Sequence, residues 1–478
     1  MIFSSTLFLF IFLPLTMLLY YIIPKKYIII KNILLLCASL IFYGWGEPVV
    51  ILVLIVSICV NYIFGLLIDK VKANLLHKRI ILAVSIVFNI ELLFYFKYCN
   101  FFVENINILF KTNYISNIAL PIGISFYTFQ IISYMVDVYF GKVESEKKWL
   151  NFAVLIAFFP QLMAGPIIRY TDIKTQLENR AHNIEKIAGG TQRFIVGLAK
   201  KILIANQVSV FADHAFNASS PTSFMAWIGA ICYALQIYYD FSGYSDMAIG
   251  LGKMFGFDFL ENFNYPYIAP TVQNFWRRWH MSLSNWFRDY LYIPLGGNRK
   301  GAFRTYINLL IVFTVTGLWH GASWSFVIWG LYHGIFLMLE RGAWGKILQK
   351  LPKVLTGFYT MLVVLIGWVL FRAENINKAI DYLKCMFNFS TGGLSITLAN
   401  FNIIILTALL LGIIFSAPIL PYIKNKLFEG KNHFELTDLS LLKQIISWAS
   451  LAGCFCILIL SVIFLTGSDF NPFLYFRF

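Results

Sequence analysis

The chain is poor in charged residues. Only 13% of its 478 residues are Asp, Glu, Lys or Arg, whereas a soluble domain carries about 25%. Hydrophobic residues make up 59% of the chain, and the mean hydropathy is +0.72. The shortage of charge excludes an ordinary soluble domain and indicates a protein that lies within a lipid bilayer.

The sequence also lacks the motifs that hold nucleotides and metal ions. It contains no P-loop, no dinucleotide-binding glycine fingerprint, no nucleophile elbow and no zinc signature. Its seven cysteines are odd in number and scattered, which argues against a disulfide framework. Cys454 and Cys456 are close in sequence, but no histidine or further cysteine lies nearby. We therefore expect neither a metal site nor a bound cofactor.

Apolar runs of helical length occupy most of the chain. They are continuous over about 17–25 residues, as a spanning helix requires, and they do not alternate as barrel strands do. We predict an all-α, multi-pass protein of the cell membrane with roughly 10–12 helices and no separate soluble domain. The predicted spans lie at about 5–23, 27–45, 49–68, 80–96, 118–140, 224–239, 303–319, 324–340, 354–371, 402–417 and 446–467.

The net charge of +15 is typical of the positive-inside rule. Basic residues crowd alternate connections, beginning with Lys25 and Lys26, which predicts an N-terminus outside and these connections in the cytoplasm. No clustered basic face is visible, so nucleic acid is not an expected partner. The other histidines fall in polar connections and are expected to be solvated: His77, His182, His214 and His433.

Two segments do not follow the simple pattern of spans. Residues 158–170 are apolar but contain Pro160, Gly165 and Pro166, which predicts a broken or re-entrant helix, with a kinked span as the alternative. The polar stretch from Thr171 to Lys201 is predicted to form helices on the cytoplasmic face. Residues 97–117 are predicted to be a connection.

Histidines in apolar or aromatic surroundings are the candidate reactive groups. His280 lies in RRWHMSLS, where a helix would place it on one face with Ser284. His320 lies in LWHGASW, and His333 in WGLYHG competes with it. Because an ionisable side chain inside hydrocarbon is costly, each suggests function, although each also has a structural reading as a satisfied buried histidine.

The residues around His280 combine aromatic and basic side chains. Trp276 and Trp279 are predicted to anchor a helix at the membrane interface, and Arg277, Arg278 and Arg299 suit phosphate groups. Asn274 belongs to the same block. Asp240 is predicted to hold a histidine or substrate, or to pair with an arginine. These residues alone fit an enzyme acting on a lipidic or carrier-linked substrate, and equally a transporter with proton-relay histidines.

Long motifs across the chain resemble the membrane-bound O-acyltransferase family, in particular its bacterial branch typified by alginate O-acetyltransferase. The motifs are PIGISFYTFQIISYMVDVY (121–139), FFPQLMAGPIIRY (158–170), YYDFSGYSDMAIGLGKMFGF (238–257), NFWRRWHMSLSNWFRDYLYIPLGGNRKG (274–301), GLWHGASWSFVIWGLYHG (317–334) and GWVLFRA (367–373).

The resemblance implies a ring of helices with re-entrant segments around a central catalytic tunnel, in one membrane domain. Its parts would be the N-terminal spans (1–140), a core with both histidines (141–345) and C-terminal spans (346–478). It implies that His320 is the principal catalytic residue and His280 the second functional histidine. The expected donor is acetyl-CoA or another acetyl thioester on the cytoplasmic side.

The acceptor implied by the resemblance is a cell-envelope or exported polysaccharide, reached through a separate extracytoplasmic transferase of the SGNH type. Alternatives are D-alanyl transfer to teichoic acid, acyl transfer to a lipid or protein, and a non-enzymatic export or transport component. The intact run from Leu291 to Arg299 and the long tail of spans favour acetyl transfer over D-alanyl transfer.

Overall fold

The computed structural model describes residues 1–45, 48–71, 74–163, 165–389, 401–429 and 436–467, and every regular element within these ranges is helical. The helices are α1 Leu13–Ile22, α2 Ile28–Gly44, α3 Pro48–Lys70, α4 Leu75–Leu93, α5 Cys99–Phe110, α6 Ile124–Tyr139, α7 Trp149–Ala157, α8 Phe159–Leu162, α9 Tyr170–Glu178, α10 Ile184–Ala199, α11 Asn206–Asn217, α12 Ser223–Met254, α13 Val272–Trp276, α14 Met281–Phe287, α15 Gly301–His320, α16 Trp324–Arg341, α17 Ala343–Leu348, α18 Lys353–Arg372, α19 Ile376–Phe387, α20 Ile403–Phe415, α21 Ile419–Glu429 and α22 Leu436–Thr466.

Within the described ranges, six helices are long and apolar enough to cross a membrane. They are Pro48–Lys70, Leu75–Phe110, Ile184–Asn217, Gly301–His320, Lys353–Arg372 and Ile446–Thr466, and three shorter apolar helices accompany them, Phe8–Ile22, Ile28–Gly44 and Ile403–Phe415. Many of their large apolar side chains point outward, as at Ile22, Leu52 and Ile459. Exposed apolar surface on this scale suits lipid rather than water. The protein is an all-α, multi-pass membrane protein.

Two of the predicted spans correspond to helices enclosed by the protein. α6, which lies within the predicted span at 118–140, and α12, which includes the predicted span at 224–239, are buried along most of their length. They carry polar side chains such as Gln130, Ser242 and Ser245 inward. A lipid-facing helix needs an apolar exterior, but a helix surrounded by other helices does not. The predicted spans at 5–23, 27–45 and 402–417 are apolar helices as well, but they are shorter than the six long ones.

Two predictions about the connections are wrong. Residues 97–110 are not a loop, because a π-helical turn at Phe94–Tyr98 joins α4 to α5 in one continuous rod. Residues 184–199 are not a surface helix, because α10 continues through a second π turn into α11, and the combined helix packs along α12. The packing is close because Gly190 faces Gly250, where a Cβ atom would lie 2.6 Å from the Gly250 carbonyl oxygen.

The predicted break near residue 160 is present. α7 ends at Ala157, the four-residue α8 follows, and an extended segment leads to α9. The helices α7 and α8 are buried, so the protein covers the interrupted backbone. Gly123, at the start of α6, adopts a left-handed φ of 80° and passes so close to α8 that a Cβ atom would lie 2.5 Å from the Leu162 carbonyl oxygen.

Contacts between connections define two ends of the molecule. At the first, which we call the basic end, Lys25 donates to the His182 carbonyl, Lys148 pairs with Glu178, and Lys186 pairs with Asp258. At the second, the opposite end, Arg372 pairs with Asp213 at 2.6 Å, and the Trp324 indole donates to Asn105. α15 begins at the basic end and finishes, with His320, towards the opposite end.

Candidate functional site

A cavity enters the helix bundle from each end. The basic-end cavity, of about 780 Å³, is bounded by α10, α12, α20 and α22 and reaches Ser242, Asn262 and Phe263. The opposite-end cavity, of about 730 Å³, is lined by Lys97, Ser323, Arg372 and other residues beside the end of α15. Between the two cavities lie His280 and His320, which are 1% and 5% exposed.

His280 is held just before α14 and not within a helix. Backbone hydrogen bonds from Asn264 to the Arg278 carbonyl and from Met281 to the Asn262 carbonyl, both 2.9 Å, fix the chain on either side of it. Its own backbone is left-handed, with φ 43°. Such a conformation is uncommon for a residue with a Cβ atom and persists only where the surroundings enforce it.

Hydrogen bonds around Asn262 determine which nitrogen of His280 carries the proton. The Asn262 Oδ1 atom receives the Ser282 backbone N–H at 3.2 Å and the Ser282 hydroxyl at 2.9 Å, so it is an acceptor. His280 Nδ1 lies 3.1 Å from the same oxygen and must therefore donate to it. Nε2 is then the lone-pair nitrogen of a neutral imidazole. It is buried and has no hydrogen-bond partner among the described residues.

Burial keeps His280 uncharged. Desolvation, and secondly the proximity of His320, lower its pKa well below the usual value. The Phe241 ring meets it edge-on, with the ring centroids 4.6 Å apart. His280 thus offers an unprotonated nitrogen at physiological pH.

His320 is the last residue of α15 and lies among aromatic rings. The rings of Trp329 and Phe371 meet its imidazole edge-on, with centroids 5.2 and 5.3 Å away. Its Nδ1 atom is buried without a hydrogen-bond partner in the described part of the chain. Trp319 contacts both histidines, with its ring centroid 5.0 Å from that of His320 and 6.1 Å from that of His280. One tryptophan therefore bridges the two histidines.

Lys97 is a functional candidate that the sequence reading missed. Its ammonium group contacts the Trp319 carbonyl, the His320 carbonyl at 3.4 Å and the Ser125 hydroxyl at 3.2 Å. A cation at the carbonyl end of a helix is favourable, because those carbonyls lack helical partners. Lys97 also lines both the opposite-end cavity and a smaller space of about 60 Å³ that reaches His320.

His333, the competing histidine, is packed between helices. Its ring contacts Trp276, Trp329 and Tyr332, and it is 1% exposed. α18 approaches it so closely that a Cβ atom on Gly367 would lie 2.6 Å from His333 Nε2. His333 does not line any of the three cavities described above. Its surroundings favour a packing role.

The predicted interfacial tryptophans are in the core. Trp276 is 7% exposed and packs on Phe313, while Trp279 is 3% exposed and packs on Phe275 and Trp368. The prediction that they anchor a helix in the headgroup region is therefore wrong. Aromatic residues are enriched both at interfaces and in cores, and the sequence alone did not separate the two environments.

The three predicted phosphate-binding arginines differ in their surroundings. Arg278 donates to the Asn274 Oδ1 atom at 2.8 Å and to the Asn264 carbonyl at 3.1 Å, which ties up much of its guanidinium group. Arg277 and Arg299 are exposed. Asn274 thus positions Arg278 and does not reach the histidines.

The side chains of Asp240 and Ser284 are engaged with other partners, although the Ser284 backbone N–H donates to the His280 carbonyl at 3.0 Å. Asp240 forms a buried ion pair with Lys201 at 2.6 Å, so its described charged partner is a lysine. Ser284 donates to the carbonyls of Trp276 and Trp279, at 3.2 and 3.5 Å. Because His280 precedes α14, the predicted helical face shared by His280 and Ser284 does not exist.

The residues that the sequence reading missed at the site are Lys97, Asn262 and Ser282. Lys97 interrupts the aromatic run FYFKY, and an ionisable residue in such a run is a recognisable signal. Asn262 and Ser282 carry no comparable signal, because they are 20 residues apart and meet only through the fold. Among the described residues, no group of three or more His, Cys, Asp or Glu side chains is arranged to hold a metal ion.

The site consists of two buried histidines that lie between cavities at opposite ends of a helix bundle. This arrangement agrees with the family that the sequence motifs resemble. Residues 142–350 match the membrane-bound O-acyltransferase (MBOAT) family. Relatives of high identity extend over the full chain, and the chain belongs to this family, which makes it an O-acyltransferase.

Individual relatives narrow the class. A probable alginate O-acetylase of Azotobacter vinelandii is 42% identical and is matched over 100% of both chains. A peptidoglycan O-acetyltransferase of Helicobacter pylori is 34% identical over 100% of this chain and 98% of its own. A teichoic acid D-alanyltransferase of Bacillus subtilis is 27% identical over 54% of this chain and 70% of its own. The first two relatives support a membrane O-acetyltransferase.

Proposed function

We propose that the protein takes an acetyl group from a thioester on the cytoplasmic side and transfers it across the membrane for O-acetylation of a cell-envelope or exported polysaccharide. The observation that carries this proposal is the position of two buried histidines between a cavity at the basic end and a cavity at the opposite end. The positive-inside rule makes the basic end the cytoplasmic one.

In the proposed reaction, His320 is the general base. Its neutral imidazole accepts the proton of an acceptor hydroxyl while the hydroxyl oxygen bonds to the thioester carbonyl carbon. The tetrahedral intermediate then collapses, the carbon–sulfur bond breaks, and the imidazolium returns its proton to the leaving thiolate. The products are an O-acetyl ester and a free thiol. General-base assistance of this kind contributes about 10²–10⁴-fold to a rate.

His280 has the role of positioning the substrates. With its proton on Nδ1, the free Nε2 atom accepts a hydrogen bond and cannot donate one to a carbonyl oxygen. It therefore orients an N–H or O–H group of the donor or acceptor and does not polarise the thioester carbonyl. Asn262 supports this role by fixing the tautomer, as a partner on the second ring nitrogen commonly does.

The donor reaches the histidines through the basic-end cavity in this proposal. Its phosphate groups, which acetyl-CoA or another phosphorylated carrier supplies, would contact Arg277 and Arg299, the two exposed members of the three predicted phosphate-binding arginines. Arg278 has a supporting role, since its hydrogen bonds are already used within the chain. Trp276 and Trp279 shape the wall behind the histidines.

The acceptor enters from the opposite end. Lys97, Ser323 and Arg372 line a polar cavity there, which suits a hydroxyl-bearing acceptor. Such an acceptor is either the polysaccharide itself or the hydroxyl of a separate extracytoplasmic transferase of the SGNH type. The polysaccharide class is proposed from the relatives, which are named for alginate and peptidoglycan acetylation.

Transfer of the acetyl group across a proteoliposome membrane tests the proposal. Protein is reconstituted in one orientation, radiolabelled acetyl-CoA is placed on the basic-end side, and an alginate oligosaccharide with candidate SGNH transferases is placed on the other side. We expect label to reach the oligosaccharide only when donor and acceptor are on different sides. A D-alanyl thioester serves as the matched control donor. Transfer of D-alanine in preference to acetyl would overturn the acetyl assignment.

A further inference from the structure

A cluster of cationic side chains at the basic end lies outside the acyl-transfer site. It comprises Lys25, Lys31, Arg180 and His182, which come from the first connection, α2 and the segment between α9 and α10. Lys31, Arg180 and His182 are 1%, 6% and 8% exposed, so the sequence-based expectation of a solvated His182 is wrong. Tyr20 connects the group, with its hydroxyl 2.8 Å from His182 Nε2.

The cluster has no negative partner among the residues described by the structure. Glu178, at the end of α9, pairs with Lys148, and Asp258, after α12, pairs with Lys186. Lys31 lies over the rings of Tyr20 and Tyr21, at 4.2 and 5.3 Å from their centroids, and Lys25 donates to a carbonyl. Buried cations normally meet a carboxylate or another anion.

Arg180 has hydrogen-bonding capacity that its neighbours do not use. Its Nη2 atom donates to Asn32 Oδ1 at 2.6 Å, and its guanidinium group stacks on Phe257 at 4.4 Å from the ring centroid. Nε and Nη1 are buried and neither makes a hydrogen bond of good geometry in the described residues, although the Tyr20 hydroxyl interacts electrostatically with the guanidinium group. Paired guanidinium N–H groups match the oxygens of a phosphate.

His182 is neutral in this setting. Burial, and then the charges of Lys31, Arg180 and Lys25, lower its pKa to about 4. The positive charge of the cluster therefore comes from the two lysines and the arginine, and His182 contributes hydrogen bonding only.

The surroundings of the cluster indicate that its ligand belongs to the bilayer. The connection that carries Lys25 joins two apolar helices whose side chains point outward, with Ile22 66% exposed and Ile29 58% exposed. Tyr27, on the same connection, is 45% exposed. A phospholipid there would place its acyl chains against the isoleucines and its phosphate at the basic residues.

We propose that Lys25, Lys31 and Arg180 form a binding site for the phosphate of an anionic phospholipid in the leaflet at the basic end. The lipid headgroup supplies the negative charge that the described protein residues do not, and it ties α1, α2 and the α9–α10 segment together. This site is separate from the acyl donor, because it lies at the ends of α1 and α2 and not on the walls of the cavity that reaches Asn262.

The test titrates phosphatidylglycerol into the detergent-solubilised full-length protein and measures the retained lipid by native mass spectrometry, with phosphatidylcholine as the neutral reference. We expect wild-type protein to retain phosphatidylglycerol at a lower concentration than phosphatidylcholine. Arg180→Gln should weaken this retention about tenfold or more, because it removes charge-assisted hydrogen bonds. Lys25→Gln should weaken it in the same direction and, because Lys25 is exposed, without affecting folding.

Lys26→Gln is the matched control, since Lys26 neighbours Lys25 but lies over Tyr27 and outside the cluster. We expect it to stay within about twofold of wild type. Equal retention of the two lipids by wild-type protein would overturn the proposal, as would equal losses in Lys25→Gln and Lys26→Gln. Displacement of phosphatidylglycerol by millimolar inorganic phosphate would identify a soluble phosphate as the ligand instead.

Discussion

At the scale of single residues, Asn262 determines the tautomer of His280. Asn262 accepts three hydrogen bonds through one oxygen atom, from His280 Nδ1 and from both donors of Ser282. The Ser282 hydroxyl in turn accepts the Ile167 backbone N–H at 3.1 Å. The network therefore links the broken-helix segment to His280 and holds the imidazole in one tautomer.

Asn262→Leu should lower acetyl transfer on the order of tenfold or more. The substitution keeps the approximate volume but leaves buried donors of His280 and Ser282 without an acceptor, which costs about 1–3 kcal/mol. The measurement is the kcat of acetyl transfer with folding checked by thermal denaturation. Unchanged kcat in a folded variant would mean that the tautomer of His280 does not matter.

Asn262→Asp should retain activity at high pH and lose it as the pH falls. The carboxylate keeps an acceptor beside Nδ1, but its charge stabilises the imidazolium and so raises the pKa of His280. In wild-type protein this pKa lies well below its usual value, so His280 stays neutral between about pH 6 and 8. The check is the pH–rate profile of both proteins. An identical acid limb in the two profiles would contradict the assignment.

Lys97→Met should reduce kcat with little change in the KM for the donor. The methionine fills similar space but removes the charge from the carbonyls of Trp319 and His320, where α15 ends. We expect a loss of about tenfold. This loss matches the free energy that a charge at a helix end in a partly buried site and one hydrogen bond contribute together. A change confined to donor KM would place Lys97 in donor binding instead.

Sequence reasoning at this scale found the histidines but not their environment. His280 and His320 stand in long, specific motifs, so they are visible without a structure. Asn262 became visible only once residues 262–264 were seen to pair with residues 278–281. The burial of Trp276 and Trp279 likewise depends on α15, α16 and α18 closing over them, which no local pattern encodes.

At the scale of helices, the close crossing of α10 and α12 organises the basic-end cavity. Small residues let the two backbones approach, at Gly190 with Gly250 and at Gly197 with Gly243. Membrane helices pack most tightly where side chains are smallest. Arg193 on α10 and Lys200, in the π turn that follows α10, then both reach Asp246 on α12, each within 2.8 Å.

Gly190→Leu should destabilise the fold by about 1–3 kcal/mol or more, because overpacking forces the two helices apart. Its neighbour provides the control. A Cβ atom at Gly189 would meet nothing within 4 Å, so Gly189→Ala should leave stability equal or raise it by about 0.5–1 kcal/mol. Both are measured by thermal denaturation in detergent. Equal destabilisation by the two substitutions would refute the close crossing.

The sequence predicted helices well and their surroundings less well. The runs at α2, α3, α18 and α22 were recognised because lipid-facing helices are uniformly apolar. α10 was misread as a surface helix because its charges are frequent, whereas its glycines at positions 190 and 197 mark the buried face. The regular spacing of these glycines is the signal of a closely packed face, whereas the polar composition of the segment favours a surface position.

At the scale of the whole molecule, the two cavities give the proposed reaction a defined orientation across the membrane. The basic end carries the connection with Lys25 and Lys26, and the opposite end carries the connection between α11 and α12. If the donor approaches the histidines from one end and the acceptor from the other, acyl transfer can occur between two substrates that never share a compartment. The family provides the class of reaction, and the direction of transfer is part of the proposal.

Thiol labelling measures this orientation directly. In a cysteine-free background, Lys26→Cys should react with a membrane-impermeant maleimide only after the cells are permeabilised. Ser219→Cys, on the exposed connection at the opposite end, should react in intact cells. The reverse pattern would invert the proposed topology and would put the donor on the wrong side.

The most direct test of the central claim compares two buried histidines in one assay. Purified protein in nanodiscs is given radiolabelled acetyl thioester and acceptor, and acetyl transfer is measured for wild type, His320→Ala and His333→Ala, with folding checked in each. We predict a loss of about 10²-fold or more for His320→Ala and a much smaller loss for His333→Ala, which should act mainly through stability. Full activity of folded His320→Ala, or a larger loss in folded His333→Ala, would contradict the account.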